Sequence, residues 1–320
     1  MKLTFLGMIR CPVCGGKDFS CQAVSEDAYE IREGQVICNG CHKEFPIQAG
    51  ILNLLIHPSD EIISEQQGWT TLEKAVKNTD ELMLSLPDAG GEHSEAWTGQ
   101  ALNFHYVFSE IKLQGGEKVL DLGAGRCWAS RYFARAGCDV VGIDILLTKY
   151  VGLLTGDVYI QNDKIFFERI CGDMNQLPFQ DGKFDIVFMA AALHHSSVIG
   201  AAIQEVSRVL KPGGRLVLVN EPVIDLFASK KLDCTEVSCG INEHVYRLLD
   251  YLSALARNGF GFRVIPFIGS YSRIITKVNH FMVSTFPKQL MPKNVWPPLL
   301  YTQLLLRGGV LNLIARKRNR

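Results

Sequence analysis

Short apolar runs alternate with longer amphipathic stretches along the C-terminal two thirds of the chain. Candidate strands fall at 118–122, 139–143, 168–171, 184–189, 215–220 and 262–266, with 310–315 as the last. Between them Ile203, Val206, Val209 and Leu210 repeat at helical spacing, as do Val245, Leu248, Leu249, Leu252 and Leu255. That alternation predicts an α/β fold: a doubly wound, mainly parallel sheet of seven strands with helices on both faces. From Pro58 to Lys112 the pattern is helical and more polar, and the Pro-, Gly- and acid-rich stretch 82–91 reads as a connection between helices. Trp97, Ala101, Phe104, Tyr106 and Phe108 mark a helix leading into the sheet, either as core or as the wall of a pocket entrance. An apolar insertion at about 267–307 precedes the last strand, with sheet cover, a lid over an apolar ligand and a membrane-surface contact all left open.

The first 56 residues follow neither pattern. They hold Cys11-Pro-Val-Cys14 and Cys38-Asn-Gly-Cys41, two C-x-x-C knuckles separated by 23 residues. Each two-residue gap lets a pair of thiolates face one ion, and two such pairs complete a closed tetrahedral shell, so a structural zinc ribbon is expected. Cys21 and His42 are less regular alternatives as ligands. The run 44–47 with 50–55 resembles the end of the small zinc-ribbon proteins that activate tRNA methyltransferases. That resemblance implies a module docked beside a methyltransferase domain and here fused to it. The expected organisation is a ribbon at 1–56, a helical connector with the pocket-entrance helix at 57–112, and the sheet domain at 113–320.

Composition removes some classes. With 47% hydrophobic and 21% charged residues the chain can fold around a core, and Lys plus Arg equal Asp plus Glu at 33 each, so no overall field draws it to nucleic acid or anionic lipid. The start lacks a signal-peptide core, and no run reaches the ~18 apolar residues of a membrane span. A cytoplasmic, reducing setting is therefore expected, where paired cysteines favour metal over disulfides.

Ligands of such sheets bind at the carboxyl ends of the strands near the switch point. The first strand leads into Asp121-Leu-Gly123-Ala124-Gly125-Arg-Cys127-Trp128, where two glycines let backbone approach a ligand closely. A dinucleotide fingerprint would need a small residue where Trp128 stands, which disfavours a nicotinamide enzyme. The second strand ends in Asp144, 23 residues past Asp121, placed to accept from both hydroxyls of a ribose, with Ile145 beside it. After the third strand come Asp173, able to accept from an adenine amino group, and Met174, a soft surface for the ring; Ala190 closes the fourth. Each acid alone reads equally well as a helix cap.

Together these motifs resemble the class I S-adenosylmethionine-dependent methyltransferases of the ubiquinone and menaquinone biosynthesis type, over roughly 118–220. The resemblance implies a Rossmann-like methyltransferase fold. It implies that Asp121, Gly123, Ala124 and Gly125 hold the methionine part of S-adenosylmethionine, Asp144 the ribose, and Asp173 with Met174 the adenine. The stretch 209–215, with its Pro212-Gly213-Gly214 turn, matches the family's approach to its fifth strand. Cys127 replaces the third glycine of the family loop, which puts cofactor affinity in question.

Methyl transfer from a sulfonium is an in-line displacement, so alignment supplies much of the catalysis and a base is needed chiefly for a neutral hydroxyl. Candidate bases are His194 and His195 after the fourth strand, which also read as pocket wall, and His244 in Asn242-Glu243-His244. Glu221 after the fifth strand is a further residue on the substrate side. The expected function is methyl transfer to a small-molecule acceptor such as a glycan, lipid-linked intermediate or secondary metabolite, at oxygen. The alternatives are an RNA base methyltransferase, since ribbon-bearing chains also resemble bacterial ribosomal RNA guanine methyltransferases, and a noncatalytic scaffold. The basic tail at 316–320 leaves peripheral contact with RNA or anionic lipid open.

Overall fold

A computed structural model describes residues 1–75, 78–90, 94–228, 235–265 and 296–319. The chain opens with β1 (Phe19–Glu26), β2 (Ile31–Cys38), β3 (Glu44–Gln48) and β4 (Ile51–Asn53), followed by α1 (Asp60–Ala75), α2 (Asp80–Ser85) and α3 (Ser94–Ile111). Then come β5 (Lys118–Leu122), α4 (Trp128–Arg135), β6 (Asp139–Asp144), α5 (Gly156–Asp163), β7 (Glu168–Cys171) and β8 (Phe184–Ala190). They are followed by α6 (Ile199–Val209), β9 (Leu210–Ile224), the single turn α7 (Thr235–Ser238), β10 (Tyr246–Arg247), α8 (Leu248–Arg257) and β11 (Phe260–Ile265). The last two are α9 (Trp296–Arg307) and β12 (Gly309–Lys317).

The seven strands expected from the apolar runs are β5 to β9, β11 and β12, in the spatial order β7-β6-β5-β8-β9-β12-β11. Strands β7, β6, β5, β8 and β9 pair in parallel, while β12 runs antiparallel between β9 and β11. Chain order reverses at β5, which lies between β6 and β8, so the crevice for a ligand opens at its carboxyl end. Two details differ from the sequence expectation. Residues 82–85 are helical, because Thr79 accepts from the Leu82 amide at 3.1 Å and Asp80 and Glu81 sit at the favourable end of the helix dipole. In α8 the buried face is Leu248, Tyr251 and Leu255, while Leu249 points outward. The insertion at 267–307 lies outside the described residues apart from α9.

The sheet does not stop at seven strands. β4 adds to the edge strand β7 in parallel, Leu52 opposite Ile170 and Asn53 opposite Cys171, so the meander β1-β2-β3-β4 continues the same sheet. An open edge is a liability that needs a cover, and β4 supplies it. Side chains reinforce the joint. Phe5, Ile9, Val36 and Phe45 share one core with Leu177, Phe179 and Phe184, and Ile9 forms an antiparallel bridge with Phe179. Each fully buried Phe or Leu there contributes about 2 kcal/mol. The opposite face of the sheet has a second core, built on Phe104, Phe133, Tyr159 and Phe188.

A buried charge cluster also crosses the joint. Arg169 on β7 is fully buried, with Nη2 2.5 Å from Glu30 and Nη1 2.8 Å from Asp157. Arg32 on β2 reaches the same two acids, at 2.8 Å and 2.9 Å.

Candidate functional site

The turn after β5 is shaped by close approach. Gly123 has φ +74°, and a Cβ there would stand 2.6 Å from Ala192 Cβ, so only glycine fits between the β5 and β8 loops. The Gly125 amide donates to Asp144 Oδ2 at 2.7 Å, which ties the turn to the end of β6. Cys127, where the family has glycine, also holds left-handed backbone at φ 58°. Its fully buried side chain packs in the core beneath the turn, which keeps that conformation despite a Cβ.

Around this turn lies a cavity of about 630 Å³. Gly123, Ala124 and Gly125 form its floor, Asp144 and Ile145 one wall, Asp173 and Met174 another, and Ala190 lines it from β8. Asp144 Oδ1 accepts from the Leu146 amide at 2.9 Å, and burial pushes its carboxyl up to about 6. Asp173 accepts from the Asn175 amide at 2.8 Å.

Asp121 is the exception among the expected cofactor residues. It does not line the cavity: it is 2% exposed and accepts from Ser130 Oγ at 2.6 Å, beneath the glycine turn. Burial raises it to about 7, and its place is to hold α4 under the turn. The structure therefore brings together all the expected cofactor residues except this one.

His194 and His195 line the cavity and His244 does not. Glu221, fully buried, accepts from the amides of Ala192, Leu193 and His194 at 2.8, 2.9 and 3.2 Å, and stands 3.0 Å from His194 Nδ1. It clamps the loop after β8 and does not reach the substrate side. His194 Nε2 lies 3.2 Å from Glu243 Oε2. Burial opposes charge on His194, but Glu221 and Glu243 outweigh it and raise the imidazole to about 10. His195 goes the other way, to about 4, through burial and the neighbouring His194 charge. Its Nδ1 donates to the Asn242 carbonyl at 2.8 Å. The His244 side chain has its Nε2 buried without a hydrogen-bond partner.

Of the roof, the sequence pattern marked only Trp97, on the helix read as core or as a pocket entrance. Glu61, Ile62, Glu65 and Trp69 of α1, and Trp97 and Gln100 of α3, close over the strand ends. Gln66 fixes α1 there by donating to the Ile145 carbonyl at 2.6 Å. The Trp69 and His195 rings meet edge to face, centroids 6.0 Å apart. Arg126 lines the cavity with its guanidinium 5.9 Å from the Trp97 ring, and among the described residues it forms no ion pair. For α1 the signal in the sequence is the spacing of Ile62, Glu65 and Trp69 on a single helical face.

At the other end of the molecule the four knuckle cysteines converge. Cys11 Sγ lies 3.6 Å from Cys41 Sγ, and Cys14 Sγ 3.6 Å from Cys38 Sγ. A disulfide needs ~2.05 Å, whereas Zn–S bonds of ~2.3 Å place tetrahedral sulfurs just under 4 Å apart. All four donors lie within 4.8 Å of one another; Cys21 and His42 are not among them.

The fold and the strand-end cavity define a Rossmann-like α/β domain of the methyltransferase class. Residues 120–218 match the family described as "Methyltransferase domain". Similar proteins include the demethylmenaquinone methyltransferase of Paenarthrobacter aurescens (strain TC1), 37% identical over 123 residues, 38% of this chain and 46% of that protein. Another is the demethylmenaquinone methyltransferase of Tropheryma whipplei (strain Twist), 41% identical over 117 residues, 36% and 47% of the two chains. The chain thus spans about half the length of the curated relatives it matches. Among solved structures the [4+2]-cyclase SpnF shares the fold at a TM-score of 0.53 and 19% identity, covering 83% of this chain and 98% of that one.

Proposed function

We propose that the chain is an S-adenosylmethionine-dependent methyltransferase for a small-molecule acceptor, acting at oxygen, with a structural zinc held by Cys11, Cys14, Cys38 and Cys41. One observation carries it: the glycine turn, Asp144, and Asp173 with Met174, from three successive strand ends, face one cavity. A volume of about 630 Å³ falls within the ~300–1,000 Å³ of small-molecule sites. When bound, S-adenosylmethionine supplies an electrophilic methyl group on a sulfonium sulfur. Asp144 accepts from the ribose hydroxyls, Asp173 from the adenine amino group, and Met174 and Ile145 pack the ring. Arg126 is the cation for the methionine carboxylate. The roof of Trp69 and Trp97 excludes water and holds the acceptor in line. His195 and the clamped His194 form the wall beside the methyl position.

The size of the strand-end cavity and the position of the basic patch both favour a small acceptor over RNA. Arg215, Arg263, Arg316 and Arg318 gather where β9 begins and β12 ends, the sheet edge opposite the cavity. A base seated in the cavity would leave its phosphates far from that patch.

The experiment is calorimetry with S-adenosylhomocysteine. Asp144→Ala removes two charge-assisted hydrogen bonds of ~1.5–3 kcal/mol each, so affinity is expected to fall about 100-fold or more. Equal affinity in wild type and variant overturns the assignment.

Affinity is also expected to depend on pH. The ionised Asp144 carboxylate is the acceptor, and in the free protein it protonates near 6. Binding is therefore level above about pH 7 and weakens as pH falls through 6, towards tenfold per unit. A profile flat from pH 7.5 to 5, measured by the same titration, contradicts this role.

A further inference from the structure

We propose that the acceptor end of the cavity holds a divalent cation, ligated by His194, His195 and Glu243. One donor atom from each of His194, His195 and Glu243 lies within 4.8 Å of the other two. His194 Nε2 and Glu243 Oε2 are 3.2 Å apart. Bonds of ~2.0–2.2 Å to nitrogen and oxygen set neighbouring donors roughly 3 to 3.5 Å from each other, so this separation suits two ligands of one ion.

The surroundings are built as they are around ligating groups. Metal-bound histidines are oriented by a carboxylate on the other ring nitrogen, and Glu221 stands 3.0 Å from His194 Nδ1, leaving Nε2 to face the cluster.

Two nitrogens and one oxygen make a harder donor set than four thiolates, and suit Mn²⁺, Fe²⁺, Co²⁺ or Zn²⁺. All three ligands line the cavity, so the remaining coordination positions open towards the acceptor. The role of the ion, which rests on the methyltransferase reading, is to hold an oxygen of the acceptor beside the methyl group. Cation binding itself does not rest on that reading.

The test uses the full chain with its ribbon loaded with one zinc. Mn²⁺ is titrated by electron paramagnetic resonance, and S-adenosylhomocysteine binding is measured on the same samples. One Mn²⁺ per chain is expected, with affinity at least tenfold weaker in His195→Ala and in Glu243→Gln. No Mn²⁺ bound to wild type, or wild-type affinity in the variants that stay folded, overturns the proposal. Cofactor binding without Mn²⁺ binding overturns this proposal alone, whereas Mn²⁺ binding without cofactor supports the site and counts against the methyltransferase reading.

Discussion

Removing zinc from the proposed site at Cys11, Cys14, Cys38 and Cys41 is expected to unfold more than the ribbon. Structural zinc sites of this type carry apparent binding energies of ~10–16 kcal/mol, as large as the ~5–15 kcal/mol that stabilises a whole domain. Here the loss would not stay local, because β4 pairs with β7 and the ribbon core runs into Phe179 and Phe184. Stripped of metal, the knuckles separate, the meander loosens, and β7 becomes a bare edge flanked by exposed aromatic residues. Thermal melts followed by circular dichroism should show one cooperative transition for the zinc-loaded protein. With a strong chelator, or in Cys14→Ser, that transition should be lost or displaced by tens of degrees, with aggregation. An unchanged melt after complete removal of zinc would show that the cysteine cluster does not support the fold.

The second large effect is expected at Arg169. Its guanidinium is fully buried against Glu30 and Asp157, and Arg169→Met keeps the bulk while removing the charge. Breaking a buried pair from one side commonly costs ~3–5 kcal/mol, because the partner's charge stays buried. Arg32 still reaches both acids, which places the expected loss near the lower end, about 3 kcal/mol in a urea titration. Asp157 starts α5 and Glu30 precedes β2, so the variant should weaken both sides of the joint in a single transition. Stability within 1 kcal/mol of wild type would mean that the cluster is compensated elsewhere.

Much of the sheet domain could be read from the sequence because its signals are local. A parallel strand buried on both faces is a short apolar run, and Asp144 and Asp173 follow such runs directly. The glycine turn announces itself through Gly123 and Gly125. Asp121 misled for a related reason. It sits in the same kind of position, but its side chain turns under the sheet edge to Ser130, and nothing in a linear pattern distinguishes up from under. His244 fell just outside the cavity, while its neighbours Asn242 and Glu243 fell inside.

The rest depends on contacts between distant segments. Glu65 and Trp69 meet His195 across more than a hundred residues, on a helix whose polar surface carries no apolar stripe to reveal a buried face. The docking of β4 on β7 depends on a strand of three residues, too short for any periodic signal. The cavity roof and the continuous sheet are therefore tertiary facts, decided by which edge and which crevice needed a cover.

The most direct test of the central claim is a crystal structure of the full chain with S-adenosylhomocysteine. The ribose hydroxyls should lie on Asp144, the adenine beside Asp173 and Met174, and the amino-acid end over Gly123 to Gly125 with its carboxylate towards Arg126. A nucleoside bound elsewhere, or a strand-end cavity left without it at saturating concentration, would contradict the account.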